Sequence, residues 1–244
     1  MNRLYKRIAL ELSLTTIFVL SFAWLTTLKL AAILSVGLLA HELGHAYSMQ
    51  SRGLGVKYVR FLPLIGGITS SKKGSQSKRQ LGVIAIAGPI YGFLATIGIG
   101  LWGIHINDLS YVAGAIVFGL VNASNLLPLY QLDGGSVLSC ITFSINKWVG
   151  LIVMGSIQLA VIVVSCKYSF YILAFVAGLG LGQVVRQFRF NKNKGDLNPR
   201  GVKSLTVIYL ATIVAHVLLM YYLLGVDGSR DAVTAILGER LKNI

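Results

Sequence analysis

Residues 30–47 read LAAILSVGLLAHELGHAY, and the fold turns on how that stretch is understood. Apart from Ser35 it is apolar until His41-Glu42-Leu43-Gly44-His45. It offers no polar stripe of the kind a soluble amphipathic helix shows. As a helix it is about 27 Å long, most of the roughly 30 Å of a bilayer's hydrocarbon core. Residues four apart lie on one helical face, so His41 and His45 could hold one metal ion, with Glu42 beside them. An acid near the middle of a span costs roughly 2.5–3.5 kcal/mol, so such residues are functional candidates.

The rest of the chain agrees with a membrane setting. Its 244 residues are 55% hydrophobic and 12% charged, and the mean hydropathy is +0.73. These values fit an all-α polytopic membrane protein and not an ordinary globular domain. Apolar runs predict about six to seven transmembrane helices, near residues 8–28, 30–47, 81–104, 109–130, 149–166, 168–185 and 205–224. The first run lacks a convincing small-residue cleavage site and reads as a retained span.

The net charge of +14 would suit nucleic acid, but its placement excludes that partner. Lys and Arg cluster at residues 3–7, 52–79 and 186–203, while the intervening loops carry little beyond Lys29, His105 to Asp108, and Lys167. With seven spans every basic cluster falls on one side, which the positive-inside rule makes cytoplasmic, as is the N-terminus. The expected setting is the cytoplasmic membrane of a bacterium or archaeon. Cys140 and Cys166 have neither metal spacing nor a disulfide pattern.

Two connecting stretches differ from simple loops. Residues 56–69, VKYVRFLPLIGGIT, are apolar and β-branched, with Pro63 and a turn expected at Gly66-Gly67. They predict a short re-entrant β-hairpin against the lipid bilayer, or a loop lying at its interface. Residues 71–80, SKKGSQSKRQ, read as a solvated basic loop.

Zinc held by His41 and His45 would need a third protein ligand and an open position. His105 and His216 are the remaining histidines; His216 reads as a buried polar residue or one facing a neighbouring helix. Asp133 is the better candidate. It follows Asn122, Ser124, Asn125 and Pro128 and precedes Gly134-Gly135, so the helix should unwind just before it. His45 lies seven residues before Arg52, about 10 Å inside the cytoplasmic end of its helix. The fourth span exits on the same side at Asp133, so both halves of the site come to similar depth.

His41-Glu42-Leu43-Gly44-His45, Ala87-Gly88-Pro89, and the run from Asn125 through Pro128 to Leu132-Asp133-Gly134-Gly135 together resemble the site-2 protease family of intramembrane zinc metalloproteases. The resemblance covers roughly residues 30–138, the family's three-helix catalytic core. It implies one Zn2+ per chain, held by His41, His45 and Asp133. It also implies Glu42 as general base, Asn125 near the substrate or oxyanion, and the hairpin with Gly66 and Gly67 as a substrate-guiding loop. The implied substrate is a transmembrane protein or peptide, cut in or near its membrane segment, with room for a regulatory membrane partner. Residues 1–244 then form a single membrane-embedded protease domain, with accessory helices in 1–29 and 139–225 and no PDZ or nucleotide-sensing domain. Two departures stand out: Tyr130-Gln131 replaces residues that are often proline, and Gly92 stands where many members carry asparagine. The alternative class is a transport or scaffold protein with a structural or transported metal.

Overall fold

The computed structural model describes residues 27–62, 66–74, 77–190 and 197–241, together with positions 16, 17, 20 and 23. Among them the order is α1 (Leu28–Ser51), β1 (Val56–Leu62), β2 (Gly66–Ser71), α2 (Lys78–His105), α3 (Leu109–Ser124), α4 (Asp133–Ile145), α5 (Lys147–Lys167), α6 (Tyr171–Phe190), α7 (Pro199–Leu224) and α8 (Ser229–Leu241). Five helices (α1, α2, α5, α6 and α7) are long and apolar enough to cross a membrane. The chain is therefore a mostly helical integral membrane protein with a small hairpin. The expected span 8–28 lies almost entirely outside the described residues.

The described chain forms two compact units. The first comprises Met1–Lys73, Ile90–Asn122 and Ala215–Ile244; the second comprises Gly74–Pro89 and Ala123–Val214. In the first unit, Leu30, Leu34 and Leu38 recur every four residues along α1 and bury against Phe61 and Phe118. A Cβ at Gly37 would fall 2.6 Å from the Phe118 ring, so the helices approach only because none is there. Val112, Ala115 and Ile116 of α3 pack with Met220 and Leu223 of α7. Lys29 pairs with Asp108, and its ammonium is the main influence holding that carboxyl below the ordinary aspartate range. The two polar stretches that charge patterning assigned to one side thus meet.

Helix α1 starts at Thr27, whose hydroxyl accepts from the Leu30 N–H at 3.2 Å. It ends where Arg52 donates to the Ser48 carbonyl at 2.9 Å, a cation at the negative end of the helix. Gly53 follows at φ +68°, which a side chain would resist. After that stop, β1 and β2 pair antiparallel, with Leu62 opposite Gly66 and Phe61 opposite Gly67. Gly66 and Gly67 therefore belong to strand β2, correcting their expected place at the turn. They lie in the strand because pairing with β1 continues to Leu62.

In the second unit, α4 packs on α5 and α5 on α6, around Phe143, Met154 and Val184. The runs 149–166 and 168–185 are separate helices, as topology required. The helix expected over residues 109–130 is shorter than its apolar run: α3 stops at Ser124, and residues 125–132 carry the chain to α4 without a helix. Asparagine, serine and proline compete with or withdraw helical hydrogen bonds there. The basic loop also needs correcting, because Lys78 begins α2 and is 5% exposed. Its ammonium donates to the Phe143 carbonyl at 2.9 Å, satisfying the end of α4.

Glycine is required where the chain re-enters helix. A Cβ on Gly134 would meet the Leu126 carbonyl oxygen at 2.0 Å, and one on Gly135 would meet that of Leu129 at 1.9 Å. Both obstacles are backbone and cannot rotate away. Gly135→Ala is therefore expected to destabilise the protein by about 1–3 kcal/mol. The check is a lower midpoint for loss of monodisperse protein on heating in detergent; an unchanged midpoint would show that the turn has slack.

Candidate metal centre

The helical period of α1 brings His41 and His45 onto one face, one turn apart. Their Nε2 atoms are 3.1 Å apart and their rings meet edge-on at 79°. His41 and Glu42 are buried, and His45 is partly buried. One ligand atom from each of His41, Glu42 and His45 lies within 4.8 Å of the others. Among the described residues this is the group of side chains that could hold a metal ion.

Burying such groups is unfavourable unless each polar atom finds a partner. Asn122, near the C-terminal end of α3, puts its Oδ1 2.8 Å from His41 Nδ1. An amide oxygen only accepts, so His41 donates from Nδ1 and its Nε2 carries the lone pair. The other end of the same amide reaches His216 of α7, with Asn122 Nδ2 donating to Nε2 at 2.8 Å. His216 is thus a buried polar residue facing a neighbouring helix.

Glu42 is met from the hairpin. Thr69 Oγ1 donates to Glu42 Oε2 at 2.6 Å. Gly67 lies two residues earlier on the same face of β2, and a Cβ there would stand 2.3 Å from Glu42 Cγ. A bare glycine and a short hydroxyl together let the strand lie on the carboxylate. Sequence reasoning missed Thr69 and gave Asn122 no site role. The alternation Gly67-Ile68-Thr69 was the available sign for the first. For the second it was an asparagine two residues inside the end of an apolar helix.

The donor set fits a zinc ion. Two ligands at about 2.0–2.1 Å from one tetrahedral ion stand roughly 3.3 Å apart, close to the Nε2 separation seen here. The tautomer that Asn122 selects on His41 is also the one a ligand needs. Glu42 stands beside the pair with its Oε2 engaged by Thr69.

The remaining expected site residues lie in the second unit. Asp133 is the first helical residue of α4; its N-cap is Leu132, so Asp133 is not itself the cap. Asn125 is partly buried and accepts the Gly134 N–H through its carbonyl at 2.8 Å. The stretch between them is held from outside. Tyr209 donates to the Leu126 carbonyl at 2.6 Å, Tyr130 to Gln187 Oε1 at 2.7 Å, and Gln131 Nε2 to the Val176 carbonyl at 2.7 Å. Tyr130 and Gln131, the departures from the usual prolines, are thus the two side chains that tie this stretch to α6.

Residues 29–108 match the profile of Peptidase family M50, a segment that holds His41, Glu42 and His45 but stops before Asp133. A Synechocystis protein bearing the name of a zinc metalloprotease is 34% identical over 129 residues, covering 50% of this chain and 34% of that protein. A zinc metalloprotease of Methanocaldococcus jannaschii is 30% identical over 116 residues, covering 45% of this chain and 33% of its own length. The chain thus spans about a third of the length of these curated relatives. No solved structure matches it. The resemblance carried by the histidine motif is found again over residues 29–108, a third of the chain.

The Thr69 contact can be tested by itself. Thr69→Val keeps the shape but leaves the carboxylate without its donor, at a cost of roughly 1.5–3 kcal/mol. Backbone amides of residues 66–71 should then exchange at least tenfold faster, with the helices unchanged. Unaltered exchange would show that Gly67 packing alone holds the strand.

Proposed function

We propose that the chain is a zinc-dependent metalloendopeptidase that hydrolyses peptide bonds in or near the transmembrane segments of other membrane proteins. One observation carries the reading. A buried and a partly buried imidazole on a membrane-length helix bring their Nε2 atoms to 3.1 Å, with a carboxylate next to them. The family match and the relatives' names support it.

His41 and His45 would hold the ion, with Asp133 as third ligand. Bound zinc would supply Lewis acidity toward the substrate carbonyl and make water nucleophilic at neutral pH. Glu42 takes the proton from the attacking water and passes it to the leaving amine. Thr69 orients that carboxylate. Asn125 serves the substrate or the developing oxyanion from the unwound stretch.

A helical substrate hides its carbonyls in hydrogen bonds, so it must be extended before attack. The hairpin suits this task. Within the described residues β2 pairs with β1 along one edge only, and its Gly67 and Thr69 lie on Glu42. An unwound strand pairing with the free edge would pass the base, with Gly66 and Gly67 helping to guide it. We further propose one membrane-embedded catalytic domain of six to seven spans, with residues 30–138 as its three-helix core. The charge pattern supports a cytoplasmic N-terminus and a site toward the cytoplasmic side of a bacterial or archaeal membrane.

Purified protein should carry about one zinc per chain by elemental mass spectrometry. Glu42→Gln should retain zinc and cut a model transmembrane substrate about 10²–10⁴-fold more slowly, whereas Asp133→Asn and His45→Ala should lower zinc occupancy. A chain without metal, or a Glu42→Gln protein that cuts normally, would refute the reading.

A further inference from the structure

Assigning His41 as a ligand leaves open what makes Nε2, and not Nδ1, the atom it offers. We propose that Asn122 and His216 form a positioning line behind His41, and that Gly92 is the space in α2 that admits it. The proposal rests on reading His41 as a metal ligand.

A neutral imidazole has two tautomers, and only the one protonated at Nδ1 presents a lone pair at Nε2. The Asn122 oxygen fixes that choice at 2.8 Å. The other end of the amide is tied in the same way: with Nδ2 donating to His216 Nε2 at 2.8 Å, turning the amide over would require both histidines to change tautomer together. The tautomer of His216 and the facing of the amide are therefore coupled, and the amide determines which nitrogen of His41 is free. His41, Asn122 and His216 are 3%, 1% and 1% exposed, so water cannot stand in for a missing member. The Phe93 ring packs on the His216 ring with centroids 5.0 Å apart and holds it in place.

Gly92 completes the arrangement. A Cβ on it would fall 2.4 Å from Asn122 Oδ1, 2.5 Å from Cγ and 2.6 Å from Nδ2. Any side chain at that position would displace the amide. This gives a physical reason for glycine at a position where the sequence departs from asparagine. In this chain α2 gives up its side chain, and α3 fills the space with Asn122. Neither Asn122 nor His216 touches reacting atoms; both act through His41.

The test measures zinc affinity of the full chain in detergent, by competition with a chromophoric chelator. Beside it, 15N NMR of histidine-labelled, metal-free protein reads the His41 tautomer. Asn122→Leu keeps the volume but removes donor and acceptor. It should weaken zinc binding about 10–100-fold and mix the two tautomers. Asn122→Asp still accepts from Nδ1 and should stay closer to wild type. His216→Leu should shift affinity in the same direction as Asn122→Leu, and Gly92→Asn should do so by displacing the amide. Wild-type affinity and an unchanged tautomer in Asn122→Leu would overturn the proposal while leaving the metal site standing. If Asn122→Leu fails to fold, His216→Leu is judged by the same two outcomes. A wild-type chain that binds no zinc would instead refute the peptidase reading, and the tautomer signal would then decide the positioning line by itself.

Discussion

The constraint on which the rest depends is that helix α1 buries an imidazole, His41, and a carboxylate, Glu42, where water is scarce. An apolar interior does not tolerate unpaired polar atoms, so each must be met by another element. The packing of the first unit follows from how they are met. Helix α3 brings Asn122 to His41, α7 backs it with His216, and β2 brings Thr69 to Glu42. The two glycines opposite these contacts, Gly92 and Gly67, mark where backbone must come close. Polar satisfaction and close packing are here one requirement, because the hydrogen bonds form only where the neighbouring helix or strand has no side chain.

A different constraint shapes the second unit. Residues 125–132 leave the helix in a part of the chain otherwise built from apolar helices, and their carbonyls need donors. The Tyr209 hydroxyl and the Gly134 N–H supply two of them, while Tyr130 and Gln131 anchor the stretch to α6. Irregular backbone tied down at several points can hold a carboxylate in position without a regular helix beneath it. That is the property a ligand such as Asp133 would need, and it explains the cost of placing paired glycines at the start of α4.

Much of this was legible in the sequence for simple physical reasons. Apolar length announces a membrane helix, because nothing else satisfies backbone groups in lipid. The i, i+4 spacing of His41 and His45 is a local fact about helices. Proline and glycine around residue 130 mark a break that propensity alone requires. Counting spans put Lys29 and Asp108 on one side, though it did not put them in contact. What could not be read were contacts that depend on how one element is turned toward another. Asn122 is one of several polar residues at and beyond the end of α3, and only the turn of that helix toward Gly92 and His41 marks it as the partner. Lys78 looks like part of a charged loop until the end of α4 reaches its ammonium.

The same reasoning separates what holds His41 from what holds Glu42. His41 is fixed by two buried members of helices, Asn122 and His216, which can move only if the packing of α1, α3 and α7 changes. Glu42 is fixed by Thr69 on a two-stranded sheet, the smallest that can form, and such hairpins are marginal without support from what they pack against. A metal ligand gains from being immobile, since its lone pair must be presented before the ion arrives. A base that accepts a proton and later delivers it must change partners during turnover. The chain places helix-borne contacts behind the prospective ligand and a single strand-borne hydroxyl, on a hairpin held by its packing against α1, beside the prospective base.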